Sequence, residues 1–491
     1  MHTRLKNLNF SASFAELSTA FLSFVKPTAL THPASLVHFN PRVARLLGFE
    51  ADIQHDADFL DLFSGAKVFD HMQPFAMLYA GHQFGHYVPQ LGDGRAITLG
   101  EVSNHAQQTW EIQLKGSGLT PYSRDGDGRA VLRSTIREYL CSEAMHGLGI
   151  PTTHALCLAH SPDEVYREQI ETAAVLTRVA PSHVRFGSFE VFFYRNQPEH
   201  IRTLADYVID RHYPELRATA NPYLALLESI VTRTAKLMAQ WQCVGFAHGV
   251  MNTDNMSVLG LTLDYGPFGF MEAYDPDFIC NHSDYQGRYA FRQQPRIGLW
   301  NLTCLAQALT PLIDVDNAKA ALEAYQPQYS DAYHQGMLAK LGLATLSEDA
   351  VDLLNRLLTL MQDSRADYTR TFRLLSRVSM HDTAPETEVR DLFIDRRNFD
   401  TWLNDYRAEL RRQDVTDAQR QAKMNRCNPK YVLRNYMAQI AIDKATREND
   451  YSEIDRLIHL LQSPCDEHPD LAHYAEPPPD WAENIQVSCS S

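Results

Sequence analysis

HGVMNTDN at residues 248–255, followed by DYG at 264–266, is the stretch on which the reading of this chain turns. It sets a histidine, an asparagine and an aspartate in order within a Gly-punctuated span. The connecting run SVLGLTLDYG predicts a short hairpin. Upstream, 222–243 has the length and apolar periodicity of a long helix. Farther upstream, 96–102, 110–115, 173–179 and 189–194 read as strands and 130–146 as a helix. In 110–115, Trp110, Ile112 and Leu114 alternate with Glu111, Gln113 and Lys115, the pattern of a half-buried strand. Residues 1–80 read as short helical segments and loops, with the first strands after Gly92 and Gly94. Downstream the pattern is helical, through 298–310 and 351–362, with Ser347 as N-cap and Glu348 and Asp349 in the first turn. The prolines at 477–479 end regular structure. A sheet-rich half followed by a helix-rich half predicts an α+β fold in two lobes.

In protein kinases the catalytic loop reads H-R-D-x-x-x-x-N and is followed by D-F-G. Aligned with it, His248 takes the histidine position, Asn255 the metal-binding asparagine, and Asp264 the aspartate that holds Mg²⁺. The base aspartate is replaced by Val250, and Asp254, next to Asn255, is a carboxylate able to serve instead. Lys115 ends a strand on its polar face, and the helix that follows carries Glu138 and Glu143. A strand lysine paired with a helical glutamate is how kinases anchor nucleotide phosphates. Spacing does not choose between the two glutamates.

The pentapeptide GDGRA occurs twice, at 92–96 and 126–130, on either side of the Lys115 strand. Glycine lets backbone approach a ligand closely, and each copy brings an arginine fork suited to phosphate. Arg178 and Arg185 bracket a turn containing Pro181 and would form a local anion clamp. His82 and His86 lie four apart with no matching third ligand, and a structural role is expected for them.

The chain has 491 residues, 44% hydrophobic and 21% charged, a globular composition. Its formal charge of −15 argues against nucleic acid or anionic lipid held by bulk charge, so an anionic ligand must be held by a local cluster. No apolar run is long enough to span a membrane, and residues 1–14 lack the apolar stretch of a secretory signal, so a cytoplasmic location is expected. Eight scattered cysteines form no C-x-x-C pair, which signals neither a zinc site nor a disulfide framework.

These motifs, with KGSGLTPYSRDGDGRAVLRSTIREYL, VLTRVAPSHVRFGSFE, LDYGPFGFMEAYDP and NPKYVLRNY (428–436), resemble the SelO family, also called YdiU, from about residue 10 to the C-terminus. The resemblance implies a kinase-like fold that binds ATP in a flipped orientation and transfers AMP, or UMP with Mn²⁺, to protein hydroxyl groups. It implies nucleotide contacts from Gly92, Gly94, Arg95, Lys115, Asp127, Gly128, Arg178, Arg185 and Asp264. Asn255 and Asp264 would hold Mg²⁺ or Mn²⁺, Asp254 would accept the proton, and Glu138 would pair with Lys115. Expected partners are a nucleoside triphosphate, ATP or UTP, and proteins offering Ser, Thr or Tyr. Two other functions are compatible with the motifs: a kinase-like phosphotransferase, and an inert ATP-binding pseudokinase scaffold. The implied organisation is an N-terminal extension (1–80), a sheet-plus-helix lobe (81–200), a lobe with the catalytic and metal loops (201–330), a helical region (331–476) and a tail (477–491). The family often ends in a Cys-Sec or Cys-containing sequence; this chain ends Ser488-Cys489-Ser490-Ser491, and a reversible Cys280–Cys489 pair is a further expectation.

Overall fold

A computed structural model describes residues 5, 8, 10–381 and 387–488. Helix makes up 47% and strand 15%, a mixed composition consistent with α+β. Among the described residues no helix is long and apolar enough to cross a membrane.

The strands are β1 (Leu22–Phe24), β2 (Ser35–Phe39), β3 (Phe75–Met77), β4 (Gly81–Gln83), β5 (His86–Val88), β6 (Ala96–Ser103), β7 (Thr109–Lys115), β8 (Ala130–Val131), β9 (His154–Tyr166) and β10 (Ile170–Ala180). One antiparallel sheet runs β1-β3-β6-β7-β10-β9-β2, with β8 paired to β10, and β4 and β5 form a separate hairpin. Five strands therefore precede Gly92, where only short helical segments and loops were expected. Four of those five are three residues long, too short to display an alternation; β1 and β3 are held by distant pairing, β4 and β5 by each other.

β7 follows the predicted register but is buried on both sides. Ile112 and Leu114 join an apolar core with Val175, Val179 and the short helices α1 (Pro41–Leu46) and α2 (Phe59–Phe63). The polar side, Glu111, Gln113 and Lys115, is buried as well. It faces helix α3 (Leu132–Gly147), the segment predicted as 130–146. α3 is enclosed by β9 and β10 on one side and by helices Asn435–Glu448 and Ser452–Leu461 on the other. Enclosure explains why Ile136, Tyr139, Leu140 and Ala144 are fully buried alongside buried polar residues, with little amphipathic contrast.

Segment 189–194 is not a strand. It lies in helix α4 (Gly187–Tyr194), where residues 187–192 are all buried. A helix closed off on every side needs no polar face, so its aromatic and β-branched run mimics a core strand. Helix α5 (Pro198–His212) follows, with proline in its first turn. The long helix α6 (Pro222–Val244) matches expectation, capped by Asn221 and ended by Gly245 in the left-handed region at φ 70°.

β11 (Phe246–Ala247) pairs with β12 (Gly269–Phe270) and closes the decisive stretch into a loop. The run 257–266 does not fold back on itself: Ser257 bridges to Arg185 and Thr262 to Thr152. Helix α7 (Gln294–Ala308) and the helix Glu348–Ser364, capped by the Ser347 side chain on Ala350 N, bear out the downstream reading. A 3₁₀ turn, Asp480–Asn484, follows the prolines that were expected to end regular structure.

The enclosure of α3 has a steric signature. A methyl group on Gly147, in its last turn, would overlap the carbonyl oxygen of Leu461. In an open helix Gly→Ala stabilises by ~1 kcal/mol. Gly147→Ala is expected instead to destabilise by about 1–3 kcal/mol, read as a lower thermal midpoint.

Candidate active site

Three elements deliver charge to one place. Lys115 ends β7, Glu138 lies nearly two turns into α3 on its buried face, and Arg178 stands on β10 opposite Gln113. Glu138 accepts from Lys115 Nζ through Oε2 and from Arg178 Nε through Oε1, the latter at 2.6 Å. The glutamate left open by spacing is thus resolved; Glu143 instead accepts from Gln462 Nε2 at 3.0 Å. Burial would raise the Glu138 carboxyl, but Arg178 and Lys115 outweigh it and hold it below the usual range. Burial also brings the Lys115 ammonium down to about 8, against the pull of Glu138.

Asp264 continues the chain of charges. It is a non-glycine residue at φ 60°, a backbone position sustained only where its surroundings over-determine it. Arg178 Nη2 lies 2.7 Å from its Oδ1, and Arg185 Nη1 donates to its Oδ2. Burial opposes ionisation, yet Arg185, Arg178 and Lys115 hold the carboxyl well below the usual carboxylate range. Arg185 also donates to the backbone carbonyl of Asp254 at 2.7 Å and stacks over Tyr79 at 4.7 Å. Both arginines are buried.

This cluster retains unused capacity. Arg185 Nε is buried without a hydrogen-bond acceptor, a donor matching an anionic oxygen. Three buried cations face a buried carboxylate, Glu138, and a half-buried one, Asp264. Arg95, on the first GDGRA, is exposed, within electrostatic reach of Glu138 and Arg178, and its guanidinium makes no hydrogen bond among the described residues.

The loop 248–255 is set from below. His248 is buried; Nε2 meets the Leu263 carbonyl at 2.9 Å, Nδ1 accepts from Val250 N at 3.3 Å, and its ring stacks on Trp241. Val250 carries no chemistry through its side chain, but its carbonyl accepts from Asn255 Nδ2 at 3.0 Å. That leaves the Asn255 carbonyl oxygen without a donor among the described residues. It and the Asp264 carboxylate, whose oxygens are engaged by Arg178 and Arg185, are hard oxygens of the kind that Mg²⁺ or Mn²⁺ takes.

Asp254 is 7% exposed, and burial lifts its carboxyl to about 7, against the pull of Arg185. Gln83 Nε2 donates to Oδ2 at 3.3 Å, whereas Oδ1 is buried with no partner. Gly81 makes this placement possible, since a Cβ there would sit 2.5 Å from Oδ1. Neither Gly81 nor Gln83 is signalled by the sequence, because both reach the loop only through the tertiary fold.

The two GDGRA copies do different work. Gly92 is at φ 105°, and a Cβ on it would lie 2.6 Å from the Tyr122 ring, while one on Gly94 would lie 2.8 Å from the Tyr122 carbonyl oxygen. These glycines admit the crossing chain at 122–123. Asp93 between them is buried and accepts from Met77 N and Gln113 Nε2. In the second copy Asp127 is exposed and held by both Arg167 terminal nitrogens at 2.8 Å, away from the charge cluster. Gly128, at φ 70°, packs against the Gly118 carbonyl, and Arg129 donates to Thr28 and Ala29.

His82 and His86 occupy opposite strands of the β4–β5 hairpin rather than a helix face. His82 Nδ1 meets Glu190 Oε1 at 2.6 Å. Cys280 is buried beneath the loop, its thiol donating to the Ala247 carbonyl. Cys489 lies outside the described residues. The tail does run alongside, with His282 N donating to the Val487 carbonyl at 2.9 Å.

A family profile described as "Protein adenylyltransferase SelO" matches residues 4–462. The chain is 55% identical over 497 residues to a protein of Thioalkalivibrio sulfidiphilus, covering 100% of both chains. It is 55% identical over 487 residues to one of Thiobacillus denitrificans, and 53% identical over 487 residues to one of Myxococcus xanthus, covering 99% of each chain in both cases. All three relatives are named protein nucleotidyltransferase YdiU.

The buried Asp254 carboxyl binds its proton more tightly folded than unfolded. The stability this contributes in the metal- and nucleotide-free protein is full below the ordinary aspartate range and is lost as pH rises through about 7. Asp254→Asn is expected to melt higher than wild type at about pH 8, the gap narrowing toward about pH 5. A gap that does not change with pH would mean the raised carboxyl is wrong.

Proposed function

The chain belongs to the SelO family of protein adenylyltransferases, and from that premise we propose that it transfers AMP from ATP to Ser, Thr or Tyr hydroxyls of proteins, releasing pyrophosphate. The observation that carries the reading is the pairing of a buried, unpartnered arginine donor, Arg185 Nε, with one unpartnered carboxylate oxygen on Asp254. The first suits a polyphosphate and the second a hydroxyl proton. We also read the surrounding frame as kinase-like: strand lysine, helix glutamate, the His248 loop and the Asp264 turn converge as in that fold.

In this reading the acceptor oxygen attacks the α-phosphorus, its proton passes to Asp254 Oδ1, and the bond to the β-phosphate oxygen breaks. The leaving pyrophosphate gathers negative charge. Lys115, Arg178 and Arg185, fixed through Glu138 and Asp264 before any ligand arrives, lower the cost of that charge in a site with little water. Arg95 guides the triphosphate at the mouth, and the Gly92–Gly94 turn shapes the wall beside it. Asp127 and Gly128 act at one remove, by holding the second glycine turn. Asn255 and Asp264 would hold Mg²⁺ or Mn²⁺, whose role when bound is to neutralise phosphate oxygens. UTP with Mn²⁺ serves as the alternative donor. Val250 does not silence such an enzyme, because the proton acceptor stands four positions further on.

ATP labelled at the α-phosphorus is expected to label protein substrate, and ATP labelled at the γ-phosphorus is not. Asp254→Ala should lower labelling by about 100-fold or more, within the range that general-base catalysis supplies, and chelation of divalent ions should abolish it. Label from the γ position alone would assign phosphotransfer instead, and ATP binding without label would assign a scaffold. Parallel reactions with α-labelled UTP and Mn²⁺ test the second donor.

We propose in addition that Cys280 and Cys489 form a reversible disulfide that restrains the segment after DYG, the two thiols giving up two electrons and two protons to an oxidant such as peroxide. The nearness of Val487 to His282 supports it. Peroxide treatment should yield a linked Cys280–Cys489 peptide in non-reduced digests, and its absence removes the idea.

A further inference from the structure

Glu190, on α4, is 1% exposed and touches neither the Lys115 network nor solvent. A carboxylate buried so deeply is costly unless both oxygens are hydrogen-bonded. Here both are. Oε2 accepts from the Thr253 hydroxyl, and Oε1 is paired with His82 Nδ1 at 2.6 Å. Because Thr253 gives its only hydroxyl proton to Glu190, its lone pairs are free to accept, and the His82 backbone N–H fills one at 2.7 Å. The triangle Glu190–Thr253–His82 is closed, with Thr253 donating to Glu190 and accepting from the His82 backbone.

The triangle acts on Asp254 through its neighbours. Thr253 precedes Asp254 in the loop, and His82 lies between Gly81 and Gln83 in β4. Gly81 packs against Asp254 Oδ1 and Gln83 holds Oδ2. Ala80 N donates to the Gly187 carbonyl at 3.1 Å, fastening the same strand to the start of α4. Strand, loop and helix are thus locked together around one glutamate.

We propose that Glu190 is a positioning residue for nucleotidyl transfer: through Thr253 and His82 it sets the β4 strand against the catalytic loop so that Gln83 occupies Asp254 Oδ2 and Oδ1 stays clear of protein donors. The proposal rests on the reading of Asp254 as proton acceptor. The same corner, with Cys304, is the one group of His, Cys, Asp and Glu close enough to hold a metal among the described residues. The hydrogen bonds already occupy His82 Nδ1 and both Glu190 oxygens, so a cation would have to displace them.

The test compares Thr253→Val, which removes the hydroxyl at nearly constant shape, with Thr253→Ser, which keeps it, alongside Glu190→Gln. Transfer of AMP is followed as kcat and as KM for ATP. Thr253→Val and Glu190→Gln are expected to lower kcat about 10-fold or more, with KM for ATP within about twofold, whereas Thr253→Ser recovers most of the rate. In an Asp254→Asn background Thr253→Val should cost nothing further, since both act on one group. Wild-type kcat in Thr253→Val, an equal loss in Thr253→Ser, or an additive loss with Asp254→Asn would overturn the positioning role. If Glu190→Gln fails to fold, the threonine pair still decides. Full activity in Asp254→Asn would instead refute Asp254 as acceptor. Stoichiometric zinc in the purified protein, lost on Cys304→Ser, would replace the hydrogen-bonded triangle with a metal site.

Discussion

Glu138 is the constraint on which the rest depends. One carboxylate receives both Lys115 from β7 and Arg178 from β10, and Arg178 passes the linkage to Asp264 and so to Arg185. Burying such a chain of charges is expensive, and removing one partner of a buried pair typically costs about 3–5 kcal/mol because the other is left uncompensated. Such a chain is tolerable only if every member is fixed by structure outside it. The β7–β10 register does this for Lys115 and Arg178, the backbone at Asp264 does it for the carboxylate, and the stack on Tyr79 does it for Arg185.

The same constraint explains the enclosure of α3. Glu138 must meet two strands at once, so the helix cannot be an amphipathic cover lying on the sheet with one face in water. The helices at 435–448 and 452–461 pack over its far side, close enough that only glycine fits at position 147. The distant C-terminal helices are thereby part of what holds Glu138 in place.

What was legible in the sequence was what is local. His248, Asn255 and Asp264 announce themselves because their chemistry depends on a short span of loop, and the β7 alternation and α6 periodicity are carried by consecutive residues. Lys115 was readable as a strand-end lysine, but its choice of Glu138 over Glu143 depends on which α3 residue faces β10, a tertiary fact. FEVFFY was misread because a fully buried helix and a fully buried strand share one composition. A signal was present even there: Glu190, a lone carboxylate within an apolar run, is sustained only by partners from elsewhere in the chain. Gly81 and Gln83 had none, since a three-residue strand carries too little pattern to place it against a loop about 170 positions away.

The overall charge of −15 and the local cation cluster belong to one arrangement. An acidic surface gives an anion no general attraction, so binding must come from fixed donors whose cost has been met in folding. Asp254 shows the complementary case. Val250 leaves the usual base position apolar, and the carboxylate beside Asn255 is drawn under β4, where burial brings its proton affinity to about 7. A carboxylate in water would be too weak a base to hold a proton at neutral pH. Beside Arg185 yet deprived of solvent, Asp254 is poised near the pH at which it can both take up a proton and release it. In the role proposed for Asp254, the same burial that places it beside Asn255 also tunes it as a base.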